Sequence, residues 1–346
     1  MKKVLFVGGT SIGHIAPSVA VMQQLKKLVP NVECHFICLP SEMEMEYLKK
    51  YNCNFSTLKV PRFSLSFPWK LFQATAKAAA ILTELKPDAV FCKGGRLGLP
   101  VGYVAKKKGI PIVLHESDAV SGNANKIVMR WADKVCTGFP LKEGDAKFIH
   151  TGNPIREEVT EGKSDEGFRI TGFSGDRPIL MVIGGSQGSQ SLNEAVSENI
   201  DELLIVCDVI HLTGLSKHGA EIDDARYFRR EFVYGELPHL YAISDLALSR
   251  AGANVMAELS ANDVEMIIVP LRGVGHDHQQ KNAVISSKKG ECTLLSQSDL
   301  NNTLVAVVKE CLQKNNSDQS ESQVHEHSPS SGASLQIAKI LSEFLA

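Results

Sequence analysis

Glycines, hydroxyls and titratable side chains gather at three places in this sequence where an apolar run gives way to a helix-like pattern. The first reads Gly8-Gly9-Thr10-Ser11-Ile12-Gly13-His14-Ile15-Ala16-Pro17. Glycines there allow close backbone approach, and the N–H groups that open a helix suit an anion. His14 adds an imidazole able to take or give a proton near neutral pH. The second segment, Gly184-Gly185-Ser186-Gln187-Gly188-Ser189, offers N–H groups and hydroxyls in the same setting, which fits a diphosphate. The third, Ser249-Arg250-Ala251-Gly252-Ala253-Asn254-Val255-Met256-Ala257-Glu258, carries a carboxylate one helical turn inside, where it can accept both hydroxyls of a ribose. The first turn has neither the lysine and hydroxyl pair of a Walker A loop nor Gly-x-Gly-x-x-Gly, so NTP hydrolysis and NAD binding are not signalled. Each segment alone also reads as a tight turn, and Glu258 as a solvated helix residue. Recurrence of the glycine turn at the same place in two halves favours a ligand.

Other clusters add to this set. His115-Glu116-Ser117-Asp118 closes a short apolar strand at its carboxyl end, and Asp277-His278-Gln279-Gln280 follows a later strand with amides suited to sugar hydroxyls. Between Val60 and Phe72, Phe63, Phe67, Trp69 and Phe72 stand with Arg62 and Lys70 in a proline-broken stretch. Such aromatics suit a lipid interface, with core packing in a loop-to-helix transition as the alternative.

These groups need elements to hold them. Short β-rich runs at 3–7, 33–39, 89–92, 111–115 and 134–137 alternate with helical patterns such as 17–28, the rhythm of parallel βαβ units. From Glu157 to Arg177 the pattern lapses, and we expect a linker over 158–176 between an N-terminal domain, 1–157, and a C-terminal one, 177–314. The second half repeats the opening, with strands expected at 179–183, 208–212, 231–233, 246–249 and 266–269 and a helix from about Ser191. A segment of Ser, Gln, Glu, His and Asn over 315–334 cannot bury enough apolar area to order itself. Helical spacing returns at 335–346, and this last helix is expected to dock on the N-terminal domain. The fold class is α/β, two doubly wound Rossmann-like domains, whose ligands sit at the carboxyl ends of strands.

The totals agree. A chain of 346 residues, 43% hydrophobic, supports two cores. A net charge of -2 gives no global attraction to nucleic acid. Eight scattered cysteines without a C-x-x-C pair read as reduced and structural. The first apolar run is too short for a signal peptide, and no stretch approaches the roughly 18 apolar residues that span a bilayer.

Taken together the segments resemble the family of UDP-N-acetylglucosamine transferases of peptidoglycan synthesis that convert lipid I to lipid II. The carriers are Gly13-His14-Ile15-Ala16-Pro17, Lys93-Gly94-Gly95, His115 to Asp118, Gly152-Asn153-Pro154-Ile155-Arg156, Gly184 to Gly188, Arg250 to Glu258 and Asp277-His278-Gln279. The resemblance implies the GT-B fold with the two domains facing a cleft, and inverting transfer with UDP as leaving group. It implies that Ser186, Gln187, Gly188, Gly252, Ala253, Asn254, Val255, Arg156, Gln279 and Gln280 hold UDP-GlcNAc, with Val233 beside the uracil and Glu258 on the ribose. Thr10, Ser11 and Gly13 would face the acceptor, lipid I, and Asp118 would be a further substrate-binding residue. Ser11 and Ile12 stand where the family carries one glycine, and Asn254-Val255 where it carries Leu-Thr.

Such a transfer needs a general base for a sugar hydroxyl, and His14, His115 and Glu116 are the candidates. No Asp-x-Asp metal motif is present, so we expect no tightly bound cofactor, while a loosely bound divalent cation could assist. Implied partners are UDP-GlcNAc, lipid I, an anionic membrane surface at the cytoplasmic face of a bacterial plasma membrane, and proteins of cell-wall synthesis. Alternatives are another UDP-sugar transferase with a lipid acceptor, a UDP-sugar 2-epimerase, or a non-catalytic UDP-sugar-binding protein.

Overall fold

The computed structural model describes residues 1–9, 12–61, 67–142, 144–185, 188–215, 217–219, 221–233, 235–273, 277–318 and 330–345. Two compact units divide the chain, Met1–Arg156 with Pro329–Ala346, and Glu157–Ser328.

In the first unit, β1 (Lys3–Val7), α1 (Ile12–Leu28), β2 (Glu33–Cys38), α2 (Glu42–Lys50), β3 (Asn54–Thr57), α3 (Phe67–Leu85), β4 (Ala89–Cys92), α4 (Gly98–Lys107), β5 (Ile112–Glu116), α5 (Asn123–Trp131), β6 (Lys134–Thr137) and β7 (Phe148–His150) follow one another. The strands form one parallel sheet in the order β3-β2-β1-β4-β5-β6-β7. Central strands of such a sheet are covered on both faces and read as unbroken apolar runs. Val4, Phe6, Phe36 and Phe91 point to a core shared with α1 and the chain's last helix, while Leu5, Val7, Val90 and Leu114 point to α3, α4 and α5. Phe6 stacks on Phe36 at 4.9 Å and meets Phe91 at a tilt at 5.6 Å.

In the second unit a 3-10 turn (Glu157–Thr160) and α6 (Ser164–Thr171) lead into β8 (Ile179–Ile183), α7 (Gln190–Glu198), α8 (Ile200–Val206), β9 (Asp208–Leu212) and β10 (Tyr227–Arg230). Then come α9 (Leu237–Tyr241), β11 (Leu246–Ser249), α10 (Ala253–Ala261), β12 (Glu265–Ile268), α11 (His278–Lys288), β13 (Thr293–Leu294) and α12 (Leu300–Asp318). The sheet is again parallel, β10-β9-β8-β11-β12-β13. The last helix, α13 (Ser330–Glu343), belongs to the first unit and packs on α1.

Several expectations need correction. The stretch 158–176 is not patternless: α6 forms there and packs against α9, its Gly167 so close to the His239 carbonyl that no side chain fits. The strand expected at 231–233 lies earlier, at Tyr227–Arg230, because it pairs with β9 through Tyr227 opposite Val209. Helix α1 begins at Ile12, so Pro17 lies inside it, past the first turn, where it removes one i→i−4 hydrogen bond. Within 315–334, α12 runs to Asp318 and α13 starts at Ser330, while 319–329 lies outside the described residues.

Candidate active site

Each sheet has one point where the strand order reverses, between β1 and β4 in the first unit and between β8 and β11 in the second. The crevice beyond the strands' carboxyl ends at such a point is where doubly wound sheets take ligands. Both glycine turns singled out in the sequence fall there.

In the first unit the register sets Val7 opposite Cys92 and Cys92 opposite Leu114, so that Gly8 and Lys93 leave the sheet beside His115 near the end of β5. A side chain on Gly8 would meet Lys93 Cβ at 3.1 Å and the His14 carbonyl at 3.0 Å. One on Gly9 would meet Glu44 Oε2 at 2.8 Å, a buried carboxylate that accepts from the Leu39 N–H at 2.9 Å. Gly94 and Gly95 both take positive φ, 89° and 75°, and Gly95 lies under the His14 ring, 3.7 Å from Nε2 to the place of a Cβ. The chain thus passes close beneath a half-buried imidazole.

The buried groups beside it form a network. His115 is 0% exposed. Its Nε2 stands 3.0 Å from the Gly152 carbonyl, which can only accept, so Nε2 carries the hydrogen. Its Nδ1 then accepts from the Lys93 ammonium at 2.9 Å, and Lys93 also donates to Ser117 Oγ. Glu116, 4% exposed, accepts from Asn125 Nδ2 at 2.7 Å and from the Asp118 N–H at 3.2 Å. Burial, helped by the Lys93 charge and opposed by Asp118, pushes the His14 imidazole down to about 4. Burial likewise holds His115 well below the ordinary histidine range, raises the Glu116 carboxyl and pushes Lys93 down to about 8. At neutral pH His14 is therefore neutral and able to accept a proton.

In the second unit Ser249 pairs with Ile183 on one side and Ile268 on the other, so Arg250 leaves the sheet between Gly184 and Val269. Arg250 is 7% exposed, and its guanidinium donates to Ser189 Oγ at 2.9 Å, to Ser191 Oγ and to the Val269 carbonyl at 3.0 Å. That fixes the start of α7 against the ends of β11 and β12. Gly185 and Gly188 take positive φ, and Gly188 packs so tightly on the Thr213 carbonyl that any side chain would collide. Gly252 caps α10, whose first residues include Ala253, Asn254 and Val255, and Glu258 Oε2 accepts from the Tyr241 hydroxyl at 3.0 Å. Asn282 Nδ2 on α11 reaches the Ala251 carbonyl at 3.1 Å, bringing Gln279 and Gln280 toward the same loops. Gln279 Oε1 accepts from the Leu271 N–H at 3.0 Å, and the buried Gln280 Oε1 has no hydrogen-bond partner among the described residues.

Arg156 belongs to the first unit, where it donates to the Tyr51 hydroxyl at 2.7 Å and lies over the Tyr47 ring. Val233 lines an open recess of about 530 Å³ with Arg169, Phe228, Arg230 and His239. Thr10, Ser11, Ser186, Gln187 and Phe63 lie outside the described residues, as does the Phe67 side chain. Trp69 and Phe72 are 65% and 64% exposed and stack at 5.9 Å. All eight cysteines are buried and free, and burial raises their thiols, so none serves as a nucleophile.

Residues 4–137 match the glycosyltransferase family 28 N-terminal domain and residues 179–336 its C-terminal domain. A UDP-N-acetylglucosamine–N-acetylmuramyl-(pentapeptide) pyrophosphoryl-undecaprenol N-acetylglucosamine transferase of Clostridium botulinum is 36% identical, the match covering 87% of this chain and 88% of the relative. The chain belongs to the family of these transferases. A Clostridium perfringens member is 34% identical over 90% of both chains. Among solved structures the fold is shared with Acinetobacter baumannii MurG (TM-score 0.71, 24% identity, covering 99% of this chain and 100% of that one). It is shared equally with a putative UDP-N-acetylglucosamine 2-epimerase of Listeria monocytogenes (TM-score 0.72, 15% identity, 100% and 97%). This member of the transferase family therefore has the GT-B architecture, and within it sequence reasoning passed over Lys93, Asn125 and Arg250 as site residues. Lys93 and Arg250 had a signal, each the first residue after a buried strand. Asn125 had none, since only the packing of α5 brings it to Glu116.

Proposed function

We propose that this chain transfers N-acetylglucosamine from UDP-GlcNAc to the MurNAc 4-hydroxyl of undecaprenyl-pyrophosphoryl-MurNAc-peptide, lipid I, giving lipid II with inversion at the anomeric carbon. The observation that carries the reading is that both reversal points are furnished, one with a neutral imidazole beside buried charges, the other with a glycine turn, two helix N-termini and Glu258. The curated relatives' names supply the substrates.

In this reading the donor diphosphate lies on the Gly184–Gly188 turn and the starts of α7 and α10, and Glu258 takes the ribose. The acceptor oxygen attacks C1 of the sugar, the bond from C1 to the β-phosphate oxygen breaks, and UDP leaves with the electron pair. The hydroxyl proton passes to His14. His14 is favoured because its half-buried ring stands over Gly95, whereas His115 is wholly buried with its nitrogens on Lys93 and Gly152, and Glu116 is only 4% exposed. Fixed N–H dipoles stabilise the charge growing on the diphosphate.

The polyprenyl acceptor brings the reaction to a lipid surface, and the exposed Trp69–Phe72 pair beside Lys70 supports docking on the anionic cytoplasmic leaflet. Among the described residues no helix is long and apolar enough to cross a membrane. The test is incubation with UDP-GlcNAc and a short-chain lipid I analogue, where disaccharide-linked product and UDP should appear together. Isomerised sugar nucleotide formed without acceptor would instead favour the epimerase reading that the shared fold leaves open.

A further inference from the structure

Lys93 is 3% exposed, yet its hydrogen-bond partners are the neutral His115 Nδ1 and Ser117 Oγ. Among the described residues no carboxylate lies within ion-pair distance of it. Burying an ammonium without a paired carboxylate is costly, and groups kept in that state concentrate at functional sites. We propose that Lys93 is a positioning residue for the transfer: it fixes His115 as the Nε2–H tautomer that holds the Gly152 carbonyl, and it sets a positive charge beside His14.

Lys93 and His14 both crowd Gly8, where a side chain would meet Lys93 Cβ at 3.1 Å and the His14 carbonyl at 3.0 Å. With Nε2 donating to Gly152 and the ammonium donating to Nδ1, the His115 ring has one orientation and one tautomer. Ser117, the ammonium's second acceptor, offers its carbonyl to Asn153 Nδ2 at 3.3 Å. Lys93 therefore draws β4, β5 and the Gly152–Asn153 segment together behind the first glycine turn. The charged and titratable groups facing it are His14 from α1, His115 and Glu116 from β5, Asp118 just beyond, and Cys92 on its own strand. Glu116 and Asp118 favour the ammonium against burial, and the ammonium in turn favours a neutral His14. A neutral ring is the state that a proton acceptor requires. This part of the inference rests on His14 as the acceptor of the hydroxyl proton.

The experiment is ¹⁵N-histidine NMR on the whole chain without substrates, for the wild type, Lys93→Met and Lys93→Arg, alongside the pH dependence of kcat/KM. In the wild type His115 should show the Nε2–H tautomer throughout the neutral range. Lys93→Met should raise the His14 midpoint by roughly one pH unit, and the acidic limb of kcat/KM should move with it. Lys93→Arg, which keeps the charge, should hold both low. A wild-type His115 protonated on Nδ1 or on both nitrogens overturns the proposal, as does a His14 midpoint indifferent to Lys93→Met. If Lys93→Met does not fold, the wild-type tautomer and Lys93→Arg decide. Because the NMR readings need no turnover, a chain that binds UDP-GlcNAc and transfers nothing would sink the proposed function while leaving the Lys93 geometry judged separately.

Discussion

The Tyr241 hydroxyl donates to Glu258 Oε2 at 3.0 Å, so the last residue of α9 holds a carboxylate on the second turn of α10. A carboxylate held in place before a ligand arrives loses less rotamer freedom on binding it, which is how a residue outside the contact surface can affect affinity.

That arrangement predicts a split in the kinetics. Glu258→Gln should raise KM for UDP-GlcNAc by roughly 10- to 100-fold, and Tyr241→Phe by a smaller factor of roughly 3 to 10, with kcat nearly unchanged in both. Steady-state kinetics with the acceptor saturating would show it. A fall in kcat at constant KM would place Glu258 in the chemistry instead.

His14→Ala should lower kcat/KM by about 10²- to 10⁴-fold, the usual share of a general base. The wild-type imidazole is held down at about 4, so activity should not lose its base until the pH approaches that value. A wild-type limb near the ordinary histidine value that survives in His14→Ala would assign the proton to another group.

His211 sits wholly inside the second unit, with Nε2 donating to Asn193 Oδ1 at 3.1 Å and Nδ1 accepting from Tyr227 at 2.8 Å. Burial lowers it from 6.5 to about 4. Between those values the unfolded chain binds the proton and the folded one does not, so unfolding free energy falls as pH falls through this window. The loss approaches about 3 kcal/mol at its lower end. Denaturant titrations at stepped pH should show this slope on top of those from other depressed histidines, His14 and His115 among them, and His211→Gln should remove its share.

Ser334 on α13 accepts from the Ile155 N–H at 3.1 Å and donates to the Ile155 carbonyl at 2.8 Å. Ser334→Ala leaves both backbone groups buried without that partner, which should cost about 1–3 kcal/mol in a denaturation midpoint. No change would mean that α13 is held by its apolar contacts alone.

Replacing both Trp69 and Phe72 with serine should weaken binding to anionic liposomes at least roughly tenfold while sparing activity on a soluble acceptor analogue. Equal losses in the two assays would point to packing within the first unit.

Much of the fold was legible in the residues. Runs such as Val4 to Val7, Ala89 to Cys92 and Ile179 to Ile183 are apolar throughout because parallel central strands are covered on both faces, and glycines mark where they end. The strands that escaped notice or were misplaced, β3, β7, β10 and β13, are the four edges of the two sheets. An edge strand is paired on one side and partly wet, so it needs no unbroken apolar run and leaves little mark in the sequence.

For the site, the sequence by itself determined which residue types stand at the strand ends: the glycine turns, His14, His115 to Asp118, and Arg250 to Glu258. It could not divide labour among them, because a histidine's role depends on what its two nitrogens touch. Tertiary structure decided that by register. With Cys92 opposite Leu114, Lys93 meets His115 and the ring turns inward to Gly152, while His14, on a different element, keeps a half-buried ring over Gly95. Burial then did what composition cannot foretell, lowering the proton affinity of both imidazoles and of Lys93 and raising that of Glu116 by removing them from water.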